Sequence, residues 1–318
     1  MSSDAAIRSG IDGPETTSPQ VDVEELRDKV RDVYRQVADA PDGEFHFEMG
    51  RELAEKLGYA PEALELLPVE AVESFAGVGH HLDLARLGGG ERVLDAGSGS
   101  GMDTFLAAAL VGRSGSVVGL DMTDEQLAKA RALRDRHGVD DVTFEHGFLE
   151  EAPFPDRSFD VVISNGVINL TPDKGTVFRE LARVLRPGGR LAISDIVCET
   201  ALTEQIKCDT SLWAACIGGA AQRDAYRACI DEAGMTDRGG AREPRPTASC
   251  RARRRAPAAT SASRACRSWR SSGADGPATS TPPRPDLRAR PEGGNGHAPF
   301  PPHADRNAAP CCWSRRFC

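Results

Sequence analysis

From Arg92 to Val197 five short apolar stretches, RVLDA, SVVGLD, VTFEH, DVVISN and RLAISDIV, are separated by segments of helical period. Strands that are apolar at nearly every position must be covered on both faces, and helical crossovers between parallel strands provide that cover. This alternation constrains the chain to an α/β fold, a doubly wound parallel sheet with helices on both faces. The predicted helices run from about Met102 to Val111, from Thr123 onward with Glu125 and Gln126 in the first turn, and from Pro172 to Leu185.

The segments on either side have a different texture. Residues 1–20 are rich in Ser, Asp, Gly and Pro and are expected to be disordered. Residues 21–87 read as a helical cap. Val23, Leu26, Val30, Val33, Tyr34 and Val37 recur at helical spacing over residues 21–40, with Asp22 as N-cap and Pro41 beyond the end. A second helix spans Met49 to Leu57, closed by Gly58, and a third starts at Pro61. Residues 88–237 hold the sheet. Residues 238–318 form an Arg/Pro/Ala-rich tail that, beyond Gly240, contains no Val, Ile, Met, Lys or Tyr and a single leucine, Leu287. No strand is expected there, and the tail reads as disordered. Such text, starting abruptly inside a domain, also has the composition of a GC-rich gene read out of frame.

Charge narrows the class of partner. Of 48 acidic residues 43 lie in residues 1–240, against 24 of the 39 basic ones. An acidic body repels phosphate backbones and anionic lipid, which disfavours nucleic acid and membrane as partners of the folded part. No apolar run approaches the roughly 20 residues of a membrane span, and the N-terminus lacks the apolar core of a signal peptide, so a cytoplasmic protein is expected. All nine cysteines lie at or beyond Cys198 and match neither a disulfide framework nor a metal-ligand spacing.

The first strand runs into VLDAGSGSGMD, with glycines at 97, 99 and 101. This is G-x-G-x-G; the dinucleotide pattern G-x-G-x-x-G would need a glycine where Met102 stands, and no Lys-Ser/Thr follows as in a P-loop. Glycines here let the backbone turn tightly and approach a ligand without Cβ interference. Asp121, 24 residues past Gly97 at the next strand end, stands where a carboxylate accepts both ribose hydroxyls of an adenosine. Asp95 reads as orienting the loop and the amino group of the ligand.

VLDAGSGSG, VVGLDMT, PFPDRSFDVVIS and LRPGGRLAISD together resemble the class I S-adenosylmethionine-dependent methyltransferases, over about residues 23 to 236. VGLDMTDEQLAKAR, GFLEEAPF, ISNGVINLTPDKGTVFRELARVLRPGGRLAISDIV and WAACIGGA resemble arsenite methyltransferases more narrowly. The resemblance implies a Rossmann-like sheet whose last two strands form an antiparallel hairpin at one edge; that pair is expected to be missing here, because the Arg-rich tail starts where it should follow. It implies S-adenosyl-L-methionine as cofactor. Asp95, Gly97, Ser98, Gly99 and Gly101 would surround its methionine part, Asp121 and Met122 the ribose, and Phe148, Leu149 and Glu150 the adenine. Asn165 would face the reaction centre, and Tyr34 with the Phe75–Gly79 turn would close over the ligand; Tyr34 reads equally as core packing.

The acceptor depends on thiols. In the resembling enzymes cysteine thiolates hold As(III) beside the methyl group, a soft ligand for a soft centre. Cys216 in WAACIGGA matches one such position, whereas Gly166 and Val78 stand where two others are expected. Cys208 lies eight residues before Cys216, roughly 12 Å away if both share one helix, too far to bind the same atom. His80, His81, Asp173 and Asp195 are candidate bases for an oxygen, nitrogen or carbon acceptor. The reading is therefore a methyltransferase acting on thiolate-bound As(III), with Cys216 and Asn165 at the reaction centre and no resident metal. A small organic acceptor, or an inactive cofactor-binding protein, is the alternative. The sequence leaves the oligomeric state open.

Overall fold

A computed structural model describes residues 21–214, 216–237 and 262–271. The expected alternation is present. Strands β1 (Arg92–Ala96), β2 (Ser116–Asp121), β3 (Val142–His146), β4 (Phe159–Asn165) and β5 (Leu185–Cys198) pair in parallel, in the order β3-β2-β1-β4-β5. Asp95 is in register with Gly119 of β2 and Ile163 of β4, so the ends of β1, β2 and β4 reach the same edge of the sheet. Brought together there are the turn at Gly97, Asp121 and Asn165, at the point where the strand order reverses.

Successive strand residues point to opposite faces, and both faces are buried. Val93, Val117 and Ile163 pack with Phe105 in one core; Leu94, Leu120 and Val162 pack with Phe178 in the other. The crossovers are helices α6 (Met102–Val111), α7 (Asp124–His137) and α8 (Lys174–Val184). Asp173 caps α8 through the Thr176 N–H, and Gly138 closes α7 with φ 63°.

Ahead of the sheet lie α1 (Val23–Asp39), α2 (Gly50–Leu57), α3 (Pro61–Leu64), α4 (Val69–Glu73) and α5 (Leu82–Ala85). Asp22 caps α1 by accepting the N–H groups of Glu24 and Glu25, and Gly58 closes α2 in the left-handed conformation. Beyond the fifth strand come α9 (Glu204–Lys207), α10 (Thr210–Ala214), the two-residue strand β6 (Ala221–Gln222) and α11 (Arg223–Glu232). β6 pairs with Val197 and Cys198 of β5. No helix among the described residues is long and apolar enough to cross a membrane.

The expectation that the last strands are missing is corrected. β7 (Met235–Asp237) and β8 (Ala262–Ser271) extend the sheet to β3-β2-β1-β4-β5-β8-β7, with β8 antiparallel to both neighbours. β8 falls within the tail read as strandless. It follows β5 from Cys198 opposite Ala262 to Arg190 opposite Arg270. The physical reason is that an edge strand presents a row of backbone N–H and C=O groups, and pairing them requires backbone, not apolar side chains. One large side chain does contribute: Trp269, opposite Leu191, is buried in the second core. The disorder expected for residues 1–20, and for the tail outside β8, lies outside the described residues.

Candidate active site

The glycine turn is built as its spacing requires. Gly97, Gly99 and Gly101 have φ of 81°, 52° and 93°, the left-handed region that side chains disfavour. The N–H groups of Gly97 and Ser98 both donate to the Leu120 carbonyl, at 2.7 and 3.0 Å, which folds the turn back onto β2. A Cβ on Gly97 would stand 2.3 Å from Val167 Cγ2. On Gly101 it would stand 2.9 Å from Phe144 Cζ, so this glycine serves the packing of α6 on the sheet.

Above the turn opens a cleft roofed by α1 and the Phe75–Gly77 segment of the cap. Every residue expected on the ligand side lines it except Val78, Gly79, Gly101 and Cys216. Asp121 stands at its centre, accepting the Gly99 N–H at 2.8 Å through Oδ2 and the Thr123 N–H at 2.9 Å through Oδ1. Burial raises its pKa, and those N–H groups counter the rise. Phe148, Leu149 and Glu150 form one end of the cleft, beside Arg27 of α1.

The other end holds two buried carboxylates. Asp95 accepts the Thr104 hydroxyl at 2.5 Å; Asp103 accepts the Tyr59 hydroxyl at 2.6 Å and the Asn165 amide at 2.9 Å. Burial raises both pKa values, and Asp103 adds a like charge against Asp95. Asn165 lines the cleft, and its amide group is a clamp: Oδ1 accepts the Val78 and Gly79 N–H groups at 2.8 and 3.3 Å, and Nδ2 donates to the Gly79 carbonyl at 2.9 Å. The side chain thus ties the Phe75–Gly79 turn to β4.

Tyr34 both packs and lines. It belongs to an apolar cluster with Leu26, Val30, Leu170, Trp213, Met122 and Cys216, and its phenol bonds with Cys216. Burial, reinforced by Cys216, holds that phenol well above its ordinary pKa. Cys216 therefore sits behind Tyr34, outside the cleft wall, with the left-handed φ of 59°. Cys208 is exposed at the end of α9, so the two thiols do not share a helix.

None of the four candidate bases lines the cleft. His80 packs on the Tyr59 ring at 4.3 Å between centroids. His81 is fully buried with no hydrogen-bond partner on either nitrogen among the described residues, and burial pushes its pKa down to about 3. Asp173 is the α8 cap. Asp195 is buried beneath α11, where it accepts the Tyr226 hydroxyl at 2.7 Å and the Asn169 amide at 2.8 Å.

Sequence reasoning missed Asp103, Gln126 and Arg27. Gln126 donates to the Tyr34 carbonyl at 2.8 Å and accepts the Ser100 hydroxyl at 2.5 Å, joining α1 to the glycine turn. Acids and amides in a first helical turn read as ordinary helix-start residues, which conceals a second role.

Residues 87–234 match the family model of a methyltransferase domain. The arsenite methyltransferase of Halobacterium salinarum is 41% identical over 182 residues, which are 57% of this chain and 46% of that protein. The arsenite methyltransferase of Aquipseudomonas alcaligenes is 46% identical over 155 residues, 46% of this chain and 45% of that one. The chain thus spans less than half the length of these curated relatives. Among solved structures, the arsenic(III) S-adenosylmethionine methyltransferase of Chlamydomonas reinhardtii is 31% identical, with a TM-score of 0.54, over 68% of this chain and 75% of that one. With the cleft at the switch point of the sheet and these relatives aligned across it, the chain belongs to the arsenite methyltransferase family of methyltransferases.

Proposed function

We propose that the cleft binds S-adenosyl-L-methionine and that the protein transfers its methyl group to As(III) held as a thiolate. The observation that carries the cofactor reading is Asp121, which lines the cleft at the β2 end and accepts the Gly99 and Thr123 backbone N–H groups. The residues fit the group in other respects. Ser98 Oγ, buried in the turn, has no hydrogen-bond partner among the described residues. The paired acids Asp95 and Asp103 match an ammonium and a sulfonium by charge.

The cofactor would supply a methyl group on positive sulfur, open to in-line displacement. The chain's part is alignment and exclusion of water. Asp121 would hold the ribose, the Phe148–Glu150 segment the adenine, and Asp95 with the glycine turn the amino-acid end. Met122 and Tyr34 would cover the ligand from the side of α1. As(III) carries its own lone pair, so no base is required, consistent with a cleft whose wall contains none of the candidate bases. Cys216 would take the arsenic from a soluble thiol adduct by exchanging one thiolate for its own.

A specific observation favours a second reading, a small organic acceptor: Val78 packs against Gly166 where thiols would be needed. A third, an inactive cofactor-binding protein, rested on a sheet without its last strands; with β8 beside β5 that support is gone. The test has two stages. Calorimetry with S-adenosylmethionine must show binding, and its absence refutes every cofactor-based reading. Mass spectrometry of a reaction with As(III) and excess thiol should then show methylated arsenic; a cofactor-binding protein that yields none leaves the organic acceptor.

A further inference from the structure

The cleft wall is acidic at four positions, Asp95, Asp103, Asp121 and Glu150, and basic at one, Arg27. Among the described residues Arg27 is ion-paired with Glu24 and Glu150 but makes no hydrogen bond. Its Nε is buried with no partner among the described residues, and its two amino groups stand 3.6 Å from carboxylate oxygens of Glu24 and Glu150, outside hydrogen-bond reach. The guanidinium instead lies 4.2 Å above the centre of the Phe148 ring. A planar group with five donors, stacked on an aromatic face beside a carboxylate, thus lines the end of the cleft with no hydrogen bond among the described residues.

We propose that Arg27 and Glu150 together read the edge of the ligand's purine base, Arg27 donating to a ring nitrogen and Glu150 accepting from the exocyclic amino group. The proposal rests on the cofactor reading above and names the residue that makes the site specific for adenine. Adenine presents an acceptor nitrogen next to an amino donor, the complement of a donor and an acceptor side by side. Hypoxanthine reverses both: its ring N–H would face the Arg27 donors and its oxygen the Glu150 carboxylate. A site built to pair such an edge rejects the reversed one strongly, because its own groups are then left unmatched. Arg27 also comes from α1, so recognition of the base would join the cap to the sheet domain.

The experiment is calorimetric titration of the full chain with S-adenosylhomocysteine and S-inosylhomocysteine. Wild type is expected to prefer the adenosyl compound by roughly tenfold or more. R27M keeps the apolar stem along α1 and removes the donors; it should weaken the adenosyl compound by about tenfold and the inosyl compound much less, so the preference collapses. R27K retains charge without the planar fork and should recover only part of the loss. Melting temperatures of both variants close to wild type separate these effects from misfolding. An unchanged preference in R27M overturns the proposal, as does tighter adenosyl binding, which would mean that Arg27 merely occupies the place of the base. Absence of any binding to wild type overturns the cofactor reading itself, and this proposal with it.

Discussion

Val78 packs directly against Gly166: a Cβ on that glycine would stand 3.1 Å from Val78 Cγ1 and 3.4 Å from Cγ2. The two positions where the family resemblance calls for thiols are therefore one place in space, beside the clamp made by Asn165. Replacing both, V78C/G166C, would put two sulfurs within reach of one arsenic atom, and the smaller side chain at 78 makes room for the new one. The cost is at Gly166, whose φ of 75° penalises any side chain by roughly 1–2 kcal/mol. The double variant should retain more arsenic through gel filtration than wild type and melt at a lower temperature; equal retention would show that these positions do not reach the acceptor.

Among the described cysteines Cys216, packed behind Tyr34, is the one on which the arsenic reading rests. C216S should abolish arsenic methylation, because a hydroxyl does not replace a thiolate on a soft centre, while transfer to an organic acceptor would be unaffected. C216G removes the same thiol and also relieves the left-handed φ of 59°, so it should be more stable than C216S by about 1 kcal/mol in urea unfolding. Arsenic methylation persisting in both variants would eliminate Cys216 as the arsenic ligand.

Most of the sheet was legible because its strands are apolar on both faces and its helices carry their own start and stop residues, Asp22, Gly58 and Gly138 among them. The glycine turn and Asp121 were legible because their chemistry is fixed by spacing along one βαβ unit. Three-dimensional meetings were not. Nothing local in the sequence says that Asn165 spends its amide on Val78, Gly79 and Asp103, that Arg27 reaches Phe148, or that His80 and His81 stand away from the cleft. β8 was missed for a different reason: its pairing is carried by backbone, and the one side chain that announces it, Trp269, stands among arginines and serines.

Both oxygens of Asp121 accept a backbone N–H. In D121N one acceptor becomes a donor, so either Gly99 or Thr123 loses its partner and the glycine turn loses its anchor to β2. Affinity for S-adenosylhomocysteine should fall by at least about tenfold, the equivalent of ~1.4 kcal/mol. Calorimetry checks this, and an unchanged dissociation constant would move the ribose away from Asp121.

Trp269 tests whether β8 belongs to the folded sheet. It is 4% exposed and its indole N–H has no hydrogen-bond partner among the described residues. W269A should cost about 3–5 kcal/mol in denaturant unfolding, as for other buried aromatic residues. W269F, which removes an unpaired buried donor along with part of the ring, should cost much less. Equal stability of W269A and wild type would place the strand outside the cooperative fold.

His81 gives the pH dependence of stability a distinct component. Its pKa in the fold, about 3, lies below the ordinary value of 6.5 because burial disfavours the charged ring and His80 adds a like charge. Between those values the unfolded chain takes up a proton that the native state refuses, so this group's contribution to stability is lost as pH falls from about 6.5 toward 3. By pH 5 the loss amounts to about 2 kcal/mol. The buried acids Asp95, Asp103, Asp121 and Asp195 act in the opposite sense, since their raised values make the native state bind protons more readily. Comparing variants isolates the histidine. H81L should lose less stability than wild type between pH 7.5 and pH 5 in urea unfolding, by about 2 kcal/mol, and parallel pH profiles would show that His81 does not remain neutral in the fold.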